Sequence, residues 1–289
     1  MSEFVATAPT VMPSRALSHT RKKRSGKIKI SAKSRSATVI KYTVITLLAL
    51  TVYGFLTFDY KNIDVVEAVV GTVRNAGVMF GRPALTYGTI TKSLQALGIT
   101  VSLGVLSTFT GAIIAFFGAL LCARNIAHPA VSNVVKGFVA FIRAVPTILW
   151  VLIFTVAAGL GSVAAVLGLT FHSAGYLIKA YSEAIEEMDI GSIEALKAHG
   201  ASFWQIVFQA IVPASITYFV AWTFLRFEIN FANAIAVGAA AGAGGIGYNL
   251  FMAGTFYFDL PELGFYTYVV VIAVIIFETI ATRIKATVK

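Results

Sequence analysis

"YSEAIEEMDIGSIEALKAHGASFWQIVFQAIVP", residues 181–213, separates two long apolar runs and is the one long charged stretch between them. It reads as two short helices joined by a turn. Ser192 is placed to cap the first helix, with Glu194 near its positive end. Gly200 supplies the left-handed conformation that stops it. Ser202 followed by Gln205 has the form of a capping box that opens the second helix. Pro213 marks where the next apolar run begins. A connector between membrane spans needs only a few residues, so a stretch of about 30 with repeated helix-ending signals presents a surface.

The flanking composition explains why that surface stands out. Of 289 residues, 57% are apolar and 12% charged, about half the charged share of a globular domain. Mean hydropathy is +0.81. Such a chain buries its surface in lipid. One cysteine, Cys122, excludes an intrachain disulfide and reads as an apolar residue at a helix end. Ten of the 23 Lys and Arg lie within residues 1–41. A basic arm directly before an apolar run holds that end in the cytoplasm rather than binding nucleic acid.

About 20 apolar residues cross a bilayer. Six stretches qualify: roughly 38–58, 93–122, 132–158, 162–181, 213–233 and 264–284. The first is too long for a cleaved signal and has no small-x-small site after it. Six crossings return the C-terminus to the cytoplasmic side, and the tail "RIKATVK" is basic as that side requires. The 159–161 turn and the 234–263 segment, placed outside, contain no Lys or Arg. The 59–92 loop, also placed outside, carries Lys61, Arg74, Arg82 and Lys92 alongside Asp59, Asp64 and Glu67. Within it, "IDVVEAVVGTV" has helical spacing and lies either on the membrane surface or against the bundle. The expected layout is a basic, disordered cytoplasmic arm over 1–37, a first span and external loop over 38–92, and a core over 93–289.

"AGAGGIGYN" (241–249) contains G-x-G-x-x-G. A dinucleotide site needs a strand before it, a helix after it and an acid about 20 residues on. The preceding "NAIAVGAAA" is small rather than β-branched, and Asp259 and Glu262 come too early. The glycines instead allow close helix approach, or form irregular backbone beside a path through the membrane, where Gly244 and Gly245 would sit.

"EALKAHGASFWQIVFQAIVP" resembles the EAA loop of binding-protein-dependent ABC importer permeases: E-A-A, three residues, G, nine residues, I-x-L-P. Glu194, Ala195, Gly200 and Pro213 match at that spacing. Leu196 replaces the second alanine, Ala210 the isoleucine and Val212 the leucine. "HSAGYLIKAYSEAIEEMDIGSIEALKAHGAS" (172–202), "FIRAVPTILWVLIF" (141–154), "RFEINFANAIAVGAAAGAGGIG" (226–247) and "CARN" (122–125) resemble the phosphonate branch. The likeness covers roughly residues 90–284 and leaves out the basic arm.

The resemblance implies an all-α polytopic membrane protein with the type I ABC importer permease fold and a cytoplasmic coupling helix at 181–213. It implies a prokaryotic plasma-membrane subunit working as a homodimer with two ATPase subunits. An extracytoplasmic phosphonate-binding protein would deliver the substrate. Glu194, Ala195, Leu196, Gly200, Ala201 and Pro213 would couple to the ATPase. The chain has no G-x-x-x-x-G-K-[ST], so ATP and Mg are expected in the partner and no cofactor or metal here.

Charges within spans are expensive and functional. Arg143 lies about 11 residues into the third span; Arg226 and Glu228 lie about 13 and 15 into the fifth. At 1.5 Å per residue, Arg143 and Glu228 sit at roughly 17 and 22 Å depth, so they can pair. Either an arginine lines a path for an anionic substrate, whose oxygens its planar fork matches, or the pair locks two helices. His172 reads as a hydrogen-bonded packing residue. Pro146 should bend the third span just beyond Arg143. Asn230 and Asn233 are expected to satisfy freed backbone groups. The competing functions are a permease of the same class for another small solute, an ion-coupled secondary transporter, which should show two related halves, and a membrane enzyme, for which four scattered histidines and one cysteine provide no constellation.

Overall fold

A computed structural model of the chain describes residues 35–58 and 63–287. Most of the expected basic arm, residues 1–34, lies outside them. The chain divides into two compact units, residues 1–64 and 65–289. In the first, α1 (Arg35–Thr57) is a single apolar helix of 23 residues, about 35 Å long and sufficient to cross a hydrocarbon core of about 30 Å.

Every regular element of the second unit is a helix among the described residues. Its elements are α2 (Val65–Gly81), α3 (Ile90–Cys122), α4 (Pro129–Ala144), α5 (Thr147–Ala158), α6 (Ser162–Glu186), α7 (Ile190–Ala198), α8 (Phe203–Ile206), α9 (Val212–Ala240), α10 (Gly245–Phe251) and α11 (Leu260–Thr287). π turns at Val207–Ile211 and Met252–Phe256 follow α8 and α10. Five helices are long and apolar enough to span, and a sixth span is available if α4 and α5 count as one.

The centre is formed by α3, α6 and α9, with α5 laid on α6 and α10 held between α9 and α3. Small residues let these helices approach closely: Ala115, Ala119, Ala165 and Ala234 are all fully buried. Hydroxyls tie the helices where water is absent, as between Thr110 on α3 and Thr170 on α6 at 2.9 Å. Leu106, Phe109, Ile113 and Phe117 point outward from α3 and are exposed, the inverse of a water-soluble helix and the pattern a lipid solvent selects.

Two expectations change. The run 132–158 is not one bent helix: α4 and α5 meet at a 92° break across Val145 and Pro146. Pro146 has no N–H to continue the ladder and restricts the residue before it to extended geometry. Val145 adopts ψ 125° accordingly, and Pro146 becomes the cap of α5. The fifth span does not begin at Pro213. Phe203–Ala240 is one continuous 38-residue helix. Pro213 sits inside it, directly after the π turn that absorbs its missing hydrogen bond. The apolar stretch after residue 62, for which two placements were open, is a helix packed on its neighbours. The Tyr268 hydroxyl of α11 donates to Phe80 O at 2.8 Å, and Ala84 N donates to Pro261 O at 3.1 Å.

Glu262 completes that attachment. Its carboxylate is buried and accepts from the backbone of Tyr87 at 3.2 Å and of Gly88 at 3.0 Å. These bonds hold the segment that leads to Thr89, whose hydroxyl caps α3 by accepting from Lys92 N at 3.3 Å.

Candidate functional site

Two places in the second unit gather the functional residues. The first is α7. Asp189, not Ser192, is its cap: the Asp189 carboxylate accepts from Gly191 N at 3.2 Å, and the Ser192 hydroxyl donates to Asp189 O at 3.0 Å. The helix therefore starts three residues earlier than the Ser192 signal suggested, because aspartate competes for the same role and stands first in the chain. At the other end the Schellman pattern is complete. Ala201 N donates to Leu196 O at 3.0 Å, Gly200 N donates to Lys197 O at 3.0 Å, and Gly200 has φ +77°. The capping box follows, with Ser202 N donating to Gln205 Oε1 at 2.7 Å and Gln205 N donating to Ser202 Oγ at 3.4 Å. It opens the long helix rather than a separate short one.

One face of α7 is seated. Ile193 is buried against Ile206, Val207 and Ile211, and Leu196 and Ala201 pack on the same cluster. The other face presents Glu194, Ala195 and Lys197 to the outside. The seat is fixed to the end of α6. Glu186 accepts from Arg124 N at 2.8 Å and pairs with Lys136 Nζ at 2.7 Å, while Asn125 Nδ2 donates to Ile185 O at 2.7 Å. The helix is thus short, rigidly capped, anchored on one side and open on the other. That is a surface which can transmit a push to α6 and the α8–α9 rod together.

The second place lies at mid-height in the bundle. Arg226 on α9 is 2% exposed. Its Nε donates to Ser173 Oγ at 3.0 Å and its Nη2 donates to His172 Nδ1 at 2.8 Å, both on α6. A guanidinium can only donate, so His172 accepts through Nδ1 and carries its proton on Nε2. Thr147, the first residue of α5, meets the same nitrogen at 3.0 Å. One turn beyond Arg226, Asn230 Nδ2 donates to Thr108 Oγ1 of α3 and to Ser173 Oγ, each at 2.8 Å. The Tyr176 ring lies 5.2 Å from the Cζ of Arg226 and 5.8 Å from the Cζ of Arg143.

The structure therefore brings together Arg143, His172, Arg226 and Asn230, and adds Thr108, Thr147, Ser173 and Tyr176. Residue type alone did not single these out. Part of their spacing was readable, since Tyr176 lies one turn on from both His172 (i, i+4) and Ser173 (i, i+3). The Arg143–Glu228 pair does not form. Among the described residues Arg143 makes no ion pair; its guanidinium lies against the Tyr176 ring instead. Glu228 is half-buried. Asn230 satisfies side-chain hydroxyls rather than backbone freed by Pro146.

Gly244 and Gly245 lie apart from the arginines. Gly242, Gly244 and Gly245 all have positive φ, so the backbone between α9 and α10 is irregular, as expected. The chain doubles back there so tightly that a Cβ on Gly247 would lie 1.8 Å from Ile235 O. Ile246 N donates to Thr100 Oγ1 at 3.0 Å. Thr100 is two helical turns from Thr108 along α3, about 12 Å.

Comparison with known proteins places these features. The phosphate-import permease PhnE of Mycolicibacterium smegmatis is 35% identical over 153 residues, covering 53% of this chain and 29% of that one. The phosphite transport system permease PtxC of Stutzerimonas stutzeri is 34% identical over 152 residues, covering 52% of this chain and 55% of that one. The chain thus spans about half or less of the length of these relatives. An inward-facing structure of the MetNI methionine ABC transporter aligns with a TM-score of 0.64 at 23% identity over 71% of this chain and 100% of that one. The shared fold is that of a type I ABC importer permease. The family described as binding-protein-dependent transport system inner membrane component matches residues 111–288, which contain α7, its seat and every residue of the arginine cluster except Thr108. By that match the chain belongs to this family of inner-membrane transport components.

Proposed function

We infer that this chain is the membrane-spanning subunit of an ATP-driven importer for phosphorus oxyanions such as phosphonate, phosphite or phosphate. The observation that carries this reading is α7: a short helix capped at both ends, seated by Ile193 and Leu196, with Glu194, Ala195 and Lys197 facing outward. It has the build of a coupling helix that docks in a cleft of an ATPase. Glu194, Ala195, Leu196, Gly200 and Ala201 act there, and Pro213 acts through the rod that leaves the seat. Two copies of the chain pair with two ATPase subunits, which hold ATP and Mg. A binding protein delivers the anion on the face opposite α7. The basic termini and α7 share the cytoplasmic side, as the distribution of Lys and Arg supports.

The substrate class is supported by what the relatives are named for, phosphate import and phosphite transport. It is supported chemically by Arg226, a buried cation whose hydrogen-bond partners are neutral. Arg143, His172, Arg226 and Asn230 belong to the path in this reading, with Glu228, Gly244 and Gly245 at its margins.

The test is uptake of radiolabelled methylphosphonate, phosphite and phosphate into proteoliposomes holding this chain, its ATPase and the matching binding protein. Uptake of at least one should require both ATP and the binding protein. Uptake that proceeds without them, or of none of the three, sinks the reading.

A further inference from the structure

Helix α2 carries an apolar face that the second unit leaves open. Val65, Val66, Val69, Val70 and Val73 fall within an arc of about 140° at 3.6 residues per turn, and each is between 57% and 74% exposed. No residue of α2 is buried. Those that are partly covered, Gly71, Val78 and Met79, lie on the opposite side of the helix. Its hold on α11 comes from the last turn. The backbones cross there so closely that a Cβ on Gly264 would lie 1.9 Å from Met79 O, and the Tyr268 hydroxyl donates to Phe80 O. The valines are therefore turned away from α11. Glu67 and Arg74 adjoin one border of the valine arc and Thr72 the other.

The crossing with α11 sets the depth of this face. The apolar span of α11 begins at Leu260, so Gly264 and Tyr268 lie about 6 and 12 Å inside its end. That end is the one remote from α7: α3 starts beside it at Ile90 and runs 33 residues, about 50 Å, to Cys122, next to the Arg124–Glu186 bond at the seat of α7. Aromatic residues mark the same level. Tyr87 stacks on Tyr257 at 4.4 Å, both are exposed, and Phe256 and Phe258 beside them are exposed as well. Tyrosines gather where a bilayer meets water, with the ring in the apolar part and the hydroxyl among headgroups. We propose that α2 is a lipid-docking helix that lies along the outer leaflet. Its valines enter the boundary between headgroups and acyl chains, and Glu67 and Arg74 stay at headgroup level. An amphipathic helix binds such a surface through its buried apolar area, and a border with one acid and one base suits zwitterionic phospholipid. The grip has a mechanical consequence. The chain leaving α2 is held by Glu262 at Tyr87 and Gly88 and then caps α3 through Thr89, so lipid contact at α2 positions the outer ends of α3 and α11. None of this depends on which solute is carried.

The experiment uses the chain with its ATPase in phosphatidylcholine nanodiscs. Cys122, the one cysteine, is changed to Ala, and Val69→Cys, Val73→Cys, Glu67→Cys and Arg74→Cys are made singly and labelled with a nitroxide. Co-purification of the ATPase reports that each variant is still assembled. Power-saturation EPR then compares access of oxygen, which concentrates in lipid, with access of a water-soluble nickel chelate. Labels at 69 and 73 should be several-fold more accessible to oxygen than to the chelate, and labels at 67 and 74 should show the reverse. A chelate that reaches all four positions equally places α2 in water and overturns the proposal. Labels at 69 and 73 that neither reagent reaches mean that a protein surface covers the valines, which also overturns it. A second arm adds the binding protein. Loss of oxygen access at 69 and 73 on its addition would assign the face to that protein instead of lipid, whereas unchanged access supports the lipid contact.

Discussion

Asn230 on α9 donates to Ser173 on α6 across 2.8 Å, and neither side chain is reached by solvent. The same amide nitrogen donates to Thr108 on α3, so one residue holds the three central helices at a single level. Asn230→Ala leaves two buried hydroxyls short of a partner, at about 1–3 kcal/mol. The expected result is a lower melting temperature for the detergent-purified chain. Combining it with Ser173→Ala should cost clearly less than the two separate losses together. Strict additivity would show that the bond does not couple the helices.

Glu194 is exposed on the open face of α7, away from Ile193. Reversing its charge with Glu194→Arg should leave the fold within about 0.5 kcal/mol, as for other surface changes. It should nevertheless abolish co-purification of the ATPase. A variant that still brings down the ATPase at wild-type yield removes Glu194 from the docking surface.

Two glycine-to-alanine changes should move stability in opposite directions. Gly247→Ala places a methyl 1.8 Å from Ile235 O, where only backbone can give way, and should abolish the folded α9–α10 hairpin. Gly137 lies in α4 with nothing within 4 Å of an added Cβ. Gly137→Ala should be neutral or stabilise by about 0.5–1 kcal/mol. Monodispersity on size-exclusion chromatography and the melting temperature separate the two.

Glu262→Gln retains the shape of the side chain but not the charge that strengthens its bonds to Tyr87 N and Gly88 N. Charge-assisted bonds are worth roughly twice neutral ones. Backbone exchange at residues 87 and 88 should accelerate while that of α6 is unchanged. Equal exchange in the two proteins would mean that the segment is held by other contacts.

How much of this was readable from the chain follows from the range of the interactions. Six apolar runs were read as spans, and five of them are single helices long and apolar enough to cross, because each satisfies its own backbone and lipid leaves no alternative. The stop at Gly200 and the box at Ser202 and Gln205 are local, within a few residues, and appear as expected. The cap was misplaced by three residues because Asp189 and Ser192 are both good caps and Asp189 comes first in the chain. Pro146 announced a disturbance, but its size depends on α6 offering a partner to the freed end of α5. The cluster around Arg226 joins residues more than 100 positions apart, from Thr108 to Asn230. Its arginine was conspicuous because charge is rare at that depth, whereas Ser173, Thr108 and Tyr176 are ordinary in such helices until α3, α6 and α9 are placed together. The Arg143–Glu228 pairing failed for the same reason: similar depth along two helices does not say which of their faces meet, and only the packed bundle does.

The π turn at Val207–Ile211 sets the phase of everything after it. One surplus residue in a helical turn adds about 100° of rotation. Removing a single residue there would leave α7 seated as before, yet swivel the remaining rod so that Arg226 and Asn230 leave α6 and α3 and face the bilayer. A relative lacking this extra residue must therefore carry its inward-facing polar side chains one place earlier in the chain. Aligned across that point without a gap, two such proteins would be matched lipid side to protein side.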